Sequence, residues 1–133
     1  MLKSYHREMS ESNKCLFASI GFLLLGIWSY YAGREGVMMY EWYLGVRTKT
    51  KTINLPGWFP DACWCCSLIA AFGFIWGGAK KIPNQWLLAL WFICSCLEIV
   101  QALLTSQGLT FDWLDLISYQ IIFILFFLAK KLF

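Results

Sequence analysis

The sequence predicts an all-α integral membrane protein, a bundle of four transmembrane helices. Two observations support this prediction. The chain has 133 residues, of which 59% are hydrophobic and 14% are charged, and a soluble domain this small cannot bury so much apolar surface. The apolar residues are also gathered into long runs, which is the pattern expected when lipid surrounds the protein.

Four segments have about the 20 residues that a membrane-crossing helix needs. They are residues 15–33, 62–79, 85–104 and 111–129. None of them alternates strictly between apolar and polar residues, as the strands of a membrane β-barrel would. The first segment is longer than the apolar region of a signal peptide and is followed by no convincing cleavage site, so we interpret it as an anchor.

The distribution of basic residues predicts the orientation of the helices. One side of the membrane would hold seven of them: Lys3, Arg7, Lys14, Lys80, Lys81, Lys130 and Lys131. The other side would hold four: Arg34, Arg47, Lys49 and Lys51. Because Lys and Arg are enriched in cytoplasmic loops, both termini are predicted to be cytoplasmic. Residues 1–14 then form a polar cytoplasmic arm, and residues 15–133 form the four-helix transmembrane domain, in which residues 34–61 are an external loop.

Polar residues recur on one face of the third segment. Cys94, Glu98, Gln101 and Thr105 follow one another at helical spacing, so this face should contact protein rather than lipid. Glu98 lies six residues before the end of the segment, which places it roughly 9 Å inside the helix. A carboxylate at that depth is costly and cannot serve as a helix cap, which favours a functional role or a specific buried pair.

The fourth segment begins with a second set of polar residues. Asp112, Asp115, Ser118 and Tyr119 share one face, although Asp112 is explained equally well as a residue that favours the helix start. The short turn TSQGLT brings these residues close to Glu98 and Gln101. We therefore predict an external polar pocket, with Arg47 as the best candidate for a counter-ion because guanidinium pairs bidentately with carboxylate.

The six cysteines do not indicate a metal or redox site. CWCC at 63–66 lacks the paired spacing of zinc ligands, and the single histidine, His6, lies in the arm. A stripe of small residues explains the second segment better, as a surface for close helix packing: Cys63, Cys66, Ala70, Gly73 and Gly77. Cys65 projects from a different face, so its replacement by alanine is expected to be nearly silent.

No motif for catalysis, nucleotide binding or a cofactor occurs in the chain. Paired carboxylates could act as acid and base or bind a divalent ion, but their spacing requires neither. The net charge of +3 is spread over positions beside the membrane, which excludes a nucleic-acid partner and favours membrane lipids. We therefore favour a non-enzymatic role.

Residues 55–125 resemble the VanZ-like family of small bacterial membrane proteins. The resemblance is carried by Glu98 and Gln101, by TFDWLDL at 110–116 after a short turn, and by LPGWFPDACW before the second span. The family usually has an arginine in the external turn and an asparagine where this chain has Tyr119. The resemblance implies a multi-pass protein of the bacterial inner membrane, with an effect on lipoglycopeptide susceptibility like that of the family's namesake.

These observations favour one function and leave two alternatives. The favoured function is binding of a lipid headgroup or cell-wall precursor in the pocket of Glu98, Gln101, Asp112 and Asp115. The first alternative is an ion or proton pathway, which would need an oligomer because the inner half of the fourth segment is apolar. The second is a partner or assembly subunit that acts through packing surfaces such as the small-residue stripe.

Overall fold

The computed structural model describes residues 2–33, 53, 55–103 and 113–132, with side chains from residue 11 onward in the first range. This part of the chain forms four α-helices and contains no strand. They are α1 (Leu2–Gly33), α2 (Trp58–Ile75), α3 (Asn84–Leu103) and α4 (Trp113–Leu132), with a 3-10 turn at Ala79–Lys81 between α2 and α3. All four are long and apolar enough to cross a membrane, which confirms the predicted fold class.

Helix α2 begins and ends earlier than the predicted span of 62–79. It begins at Trp58 because Pro60, the third helical residue, is tolerated in a first turn, where its missing N–H has no helical partner to lose. It ends at Ile75 because Gly77 and Gly78 have φ angles of 72° and 146°, which other residues rarely adopt. Gly77 therefore belongs to a turn, and its predicted place in the small-residue stripe of the second helix was wrong.

The helices pack in the order α1, α2, α4, α3. The backbone of α2 approaches both α1 and α4, and α3 approaches α4. Helices α1 and α2 are antiparallel, as contacts along their length show: Ser12 with Phe74, Ser19 with Ser67, and Gly26 with Cys63. Helices α3 and α4 are antiparallel as well, because Asn84 contacts Lys130 near one end and Glu98 contacts Tyr119 near the other.

The contact between α1 and α2 depends on small residues. A Cβ atom placed on Gly73 would lie 2.9 Å from the Cys15 Sγ atom and 3.4 Å from the Cα atom of Ala79. One on Gly26 would lie 3.2 Å from the Cβ atom of Cys63. This confirms that Cys63 and Gly73 of the predicted stripe serve close helix packing, since side chains larger than these would hold the backbones apart.

Two serines join the same helices by reciprocal hydrogen bonds. The Ser19 hydroxyl donates to the Ser67 carbonyl oxygen at 3.0 Å, and the Ser67 hydroxyl donates to the Ser19 carbonyl oxygen at 2.9 Å. In a membrane a hydrogen bond of this kind contributes roughly 0.6 to 2 kcal/mol to helix association. The serines therefore fix how far α1 can slide along α2.

The core lies between α2, α3 and α4. Its buried side chains are Cys65, Ile69, Ile82, Leu87, Leu90, Cys94, Tyr119 and Phe123. Cys65 is 1% exposed and its thiol contacts the thiol of Cys94. The expectation that Cys65 lies on an unimportant face is therefore wrong, because the face opposite the small-residue stripe is the one that packs against α3 and α4.

Among the described side chains, the lysines and three buried or partly buried acidic residues lie toward different ends of the bundle. The lysines with described side chains, Lys14, Lys80, Lys81, Lys130 and Lys131, belong to the end that holds the α2–α3 turn. There the Lys130 ammonium donates hydrogen bonds to the Ile82 carbonyl oxygen and to Asn84 Oδ1, which ties the end of α4 to the turn. Asp61, Glu98 and Asp115 lie toward the other end, which we call the acidic end after these three residues.

Candidate functional site

Glu98 and Tyr119 form the centre of the acidic end. Glu98 is 3% exposed although it lies within a membrane-spanning helix, and the Tyr119 hydroxyl donates to its Oε1 atom at 3.2 Å. The antiparallel packing of α3 and α4 brings the two side chains together from positions 21 residues apart. The predicted convergence of the third and fourth segments is thus present at this pair.

Asp115 and Ser118 lie on the same face of α4 as Tyr119, and all three side chains are buried. Asp115 occupies the first turn of α4, where a carboxylate is favoured by the helix dipole. The Ser118 hydroxyl donates to the carbonyl oxygen of Asp115 at 2.8 Å, so its polarity is satisfied within the helix. The predicted polar face of this helix therefore points into the protein.

A second polar layer lies deeper between α3 and α4. The Trp91 indole N–H donates to Gln120 Oε1 at 2.7 Å, and Gln120 Nε2 donates to Ser95 Oγ at 3.3 Å. Sequence reasoning did not find this layer, although Ser95 and Gln120 were visible as polar residues inside apolar runs. The layer adds hydrogen bonds one helical turn below Glu98 and holds the two helices in register.

Asp61 is a third carboxyl group at the acidic end that sequence reasoning missed. It lies in the first turn of α2, is partly buried, and is close enough to Tyr119 to interact with it electrostatically. The signal was present in LPGWFPD, but placing the helix start at 62 left Asp61 in the loop. With the helix starting at Trp58, the helix itself carries Asp61 toward α4.

Of the remaining predicted site residues, Gln101 is the one that the structure describes. Gln101 is half-buried on α3, and no hydrogen bond joins it to a described residue. Asp112 and Arg47 lie outside the described residues. Of the predicted set, the structure therefore joins Glu98 to Tyr119 and places Asp115 as a buried residue one turn from Tyr119 on the same face of α4.

A groove opens beside the cluster, between α2 and α4. It has a volume of about 350 Å³, and its lining is apolar except for the Ser118 hydroxyl. The side chains along it are Trp58, Ala62, Leu114, Ile117, Ile121 and Ile122, together with Ser118. An apolar groove of this kind suits an apolar chain, and through Ser118 it adjoins the polar face of α4.

The chemistry available at the acidic end is that of carboxyl and phenol groups. Ionised carboxylates only accept hydrogen bonds, so the cluster suits a ligand that brings N–H or O–H donors. The described part of the chain has no group of three His, Cys, Asp or Glu side chains that could hold a metal ion.

Comparison with known proteins adds no relative, since no protein-family model, curated protein or solved structure matches the chain.

Proposed function

We propose that the chain is a VanZ-like protein of the bacterial inner membrane that binds a lipid headgroup or cell-wall precursor at the acidic end of its bundle. The observation that carries this proposal is the buried Glu98–Tyr119 pair beside the α2–α4 groove. The groove would take an apolar chain, and the carboxyl groups would accept hydrogen bonds from hydroxyl, amide or amine groups of the head.

Burial of Glu98 favours a binding role over a purely structural one. A carboxyl group at this depth is costly, and membrane proteins keep such groups mainly where they meet a ligand, an ion or a proton. The pair with Tyr119 holds the carboxyl group in one orientation, which lowers the entropy lost on binding. The sequence resemblance to the VanZ-like family is carried by Glu98 and residues 110–116, and this supports a functional site at the same end of the bundle.

The core disfavours an ion pathway through a single chain. Beyond the Gln120 layer the space between the helices is filled by Phe123, Leu87 and Ile82, which are 2%, 0% and 0% exposed. A pathway would therefore have to form between copies of the chain. A partner or assembly role would have to use a surface other than Cys63 and Gly73, because these residues pack against α1.

Binding at Glu98 predicts that its charge is needed for function but not for folding. In a strain whose own copy is deleted, we expect Glu98→Gln to be expressed and folded yet to leave lipoglycopeptide susceptibility as in the deletion. Leu103→Ala, a change at an exposed residue of the same helix, should restore the wild-type phenotype. A fully active Glu98→Gln or Glu98→Ala protein would contradict the proposal.

The proposed orientation places both termini and the lysine-rich end in the cytoplasm. A cysteine introduced at position 49 should react with a membrane-impermeant maleimide in intact cells, whereas cysteines at positions 4 and 131 should react only after permeabilisation. The parent protein, with its six cysteines in α1, α2 and α3, is the labelling control. Reaction at position 131 in intact cells would overturn the orientation.

A further inference from the structure

A second and larger groove lies at the opposite end of the bundle, between α1, α2 and α4. Its volume is about 510 Å³, within the range of small-molecule sites. The side chains that line it are apolar or small, with one exception, and include Ala18, Phe22, Cys66, Ala70, Ile122 and Phe126. The exception is Lys14, the charged member of the lining.

The groove exists because small residues face it from two helices. Cys66 and Ala70 belong to the small-residue stripe of α2 and line the groove, whereas Cys63 and Gly73 on either side of them lie close to α1. Larger residues at these positions would fill the space between α1 and α4. The stripe therefore has two roles: Cys63 and Gly73 allow close packing against α1, and Cys66 and Ala70 between them leave space for the groove.

Three lysines lie at or near the mouth of the groove, together with Glu11. Lys14 is 67% exposed, and Ala79, which also lines the groove, is followed directly by Lys80 and Lys81. The turn that carries them packs against α1, since a Cβ atom on Gly78 would lie 3.8 Å from the Cβ atom of Glu11. Basic residues at the end of membrane helices attract anionic lipid headgroups.

We infer that this groove binds the acyl chain of an anionic phospholipid, whose phosphate pairs with Lys14. The helices around the groove are apolar on their outer faces, so a lipid chain is the molecule in contact with its opening. Lys14 forms a 2.6 Å ion pair with Glu11, but both side chains are mostly exposed, so the pair is weak enough to exchange for a phosphate. This groove shares Ile122 with the α2–α4 groove, but Lys14 and the other residues named here belong to it alone.

The test is native mass spectrometry of the purified chain in detergent, titrated with dioleoylphosphatidylglycerol or dioleoylphosphatidylcholine. The wild-type chain should prefer phosphatidylglycerol, and Lys14→Gln should weaken phosphatidylglycerol binding about fivefold while leaving phosphatidylcholine unchanged. Lys131→Gln, at an exposed lysine of the same end, is the matched control and should change binding less than twofold.

Filling the groove with a larger side chain should weaken the binding of both lipids. Ala70→Leu is the test variant, and Ala89→Leu, at an exposed position of α3, is its control. If Ala70→Leu does not fold, Ala18→Leu on the α1 side of the groove replaces it.

The inference is overturned if the wild-type chain binds the two lipids equally, if Lys14→Gln behaves like Lys131→Gln, or if the groove variants bind like Ala89→Leu. Glu98→Gln should leave this binding unchanged, which separates failure here from failure of the proposed function.

Discussion

Replacing Gly73 with leucine should destabilise the bundle by about 1 to 3 kcal/mol, the usual cost of overpacking a close contact. Even the first atom of the new side chain would lie 2.9 Å from Cys15 Sγ and 3.4 Å from the Cα atom of Ala79. The sulfur can move, but the backbone at Ala79 belongs to the turn and cannot move without shifting α3. The free energy of unfolding in detergent, measured by titration with a denaturing surfactant, should show the loss.

Gly21 provides a matched control on α1. A Cβ atom there would meet nothing within 4 Å, so Gly21→Leu should be neutral or stabilising. Cys15→Ala should recover part of the stability lost in Gly73→Ala, because it removes the sulfur that lies closest to the added Cβ atom. Equal stability of Gly73→Leu and Gly21→Leu would show that α1 and α2 do not meet at Gly73.

Replacing Glu98 with alanine should produce the second large loss of stability. The change removes the acceptor of the Tyr119 hydroxyl in a buried site, and an orphaned buried donor costs about 1 to 3 kcal/mol. Glu98→Gln should remain close to the wild type in melting temperature, because its amide oxygen can still accept the hydrogen bond from Tyr119.

Tyr119→Phe separates this hydrogen bond from the rest of the Glu98 environment. It keeps the ring in the core and removes the donor, so the double variant Glu98→Ala with Tyr119→Phe should cost less than the sum of the two single changes. The expected coupling is about 1 kcal/mol, as for other hydrogen bonds between membrane helices. Strict additivity would mean that Tyr119 and Glu98 do not interact in solution.

The sequence was sufficient to predict the four helices and that Glu98 faces protein. Each span is a long apolar run, and a lone carboxylate inside such a run has few structural explanations. The end of α2 was harder to predict, because Trp76 and Ala79 continue the apolar run and the turn depends on the backbone conformation of Gly77 and Gly78. The start of α2 was misplaced because Pro60 looked like a loop residue.

Which faces of the helices are buried could not be predicted from hydrophobicity alone. Helix α2 is apolar on all sides, so Cys65 in the core and Leu68 on the outside, which is 41% exposed, look alike in the sequence. In a soluble protein the polar face would have marked the outside, but lipid is as apolar as the core. Asp61 was missed for a different reason: the predicted helix start at 62 left it in the loop, and its electrostatic interaction with Tyr119 depends on α2 lying beside α4.

The order α1, α2, α4, α3 has a consequence for how the chain assembles during synthesis. Helix α1 is made first, yet the close contacts described for it are with α2 and the following turn. It must therefore remain in the membrane as a single helix until α2 has been inserted, protected by its own backbone hydrogen bonds. The core is completed last, when Tyr119 and Phe123 of α4 enter between helices already in place. Until α4 has been inserted, Glu98 therefore lacks the hydrogen bond from Tyr119 and remains the costliest group of the unfinished bundle.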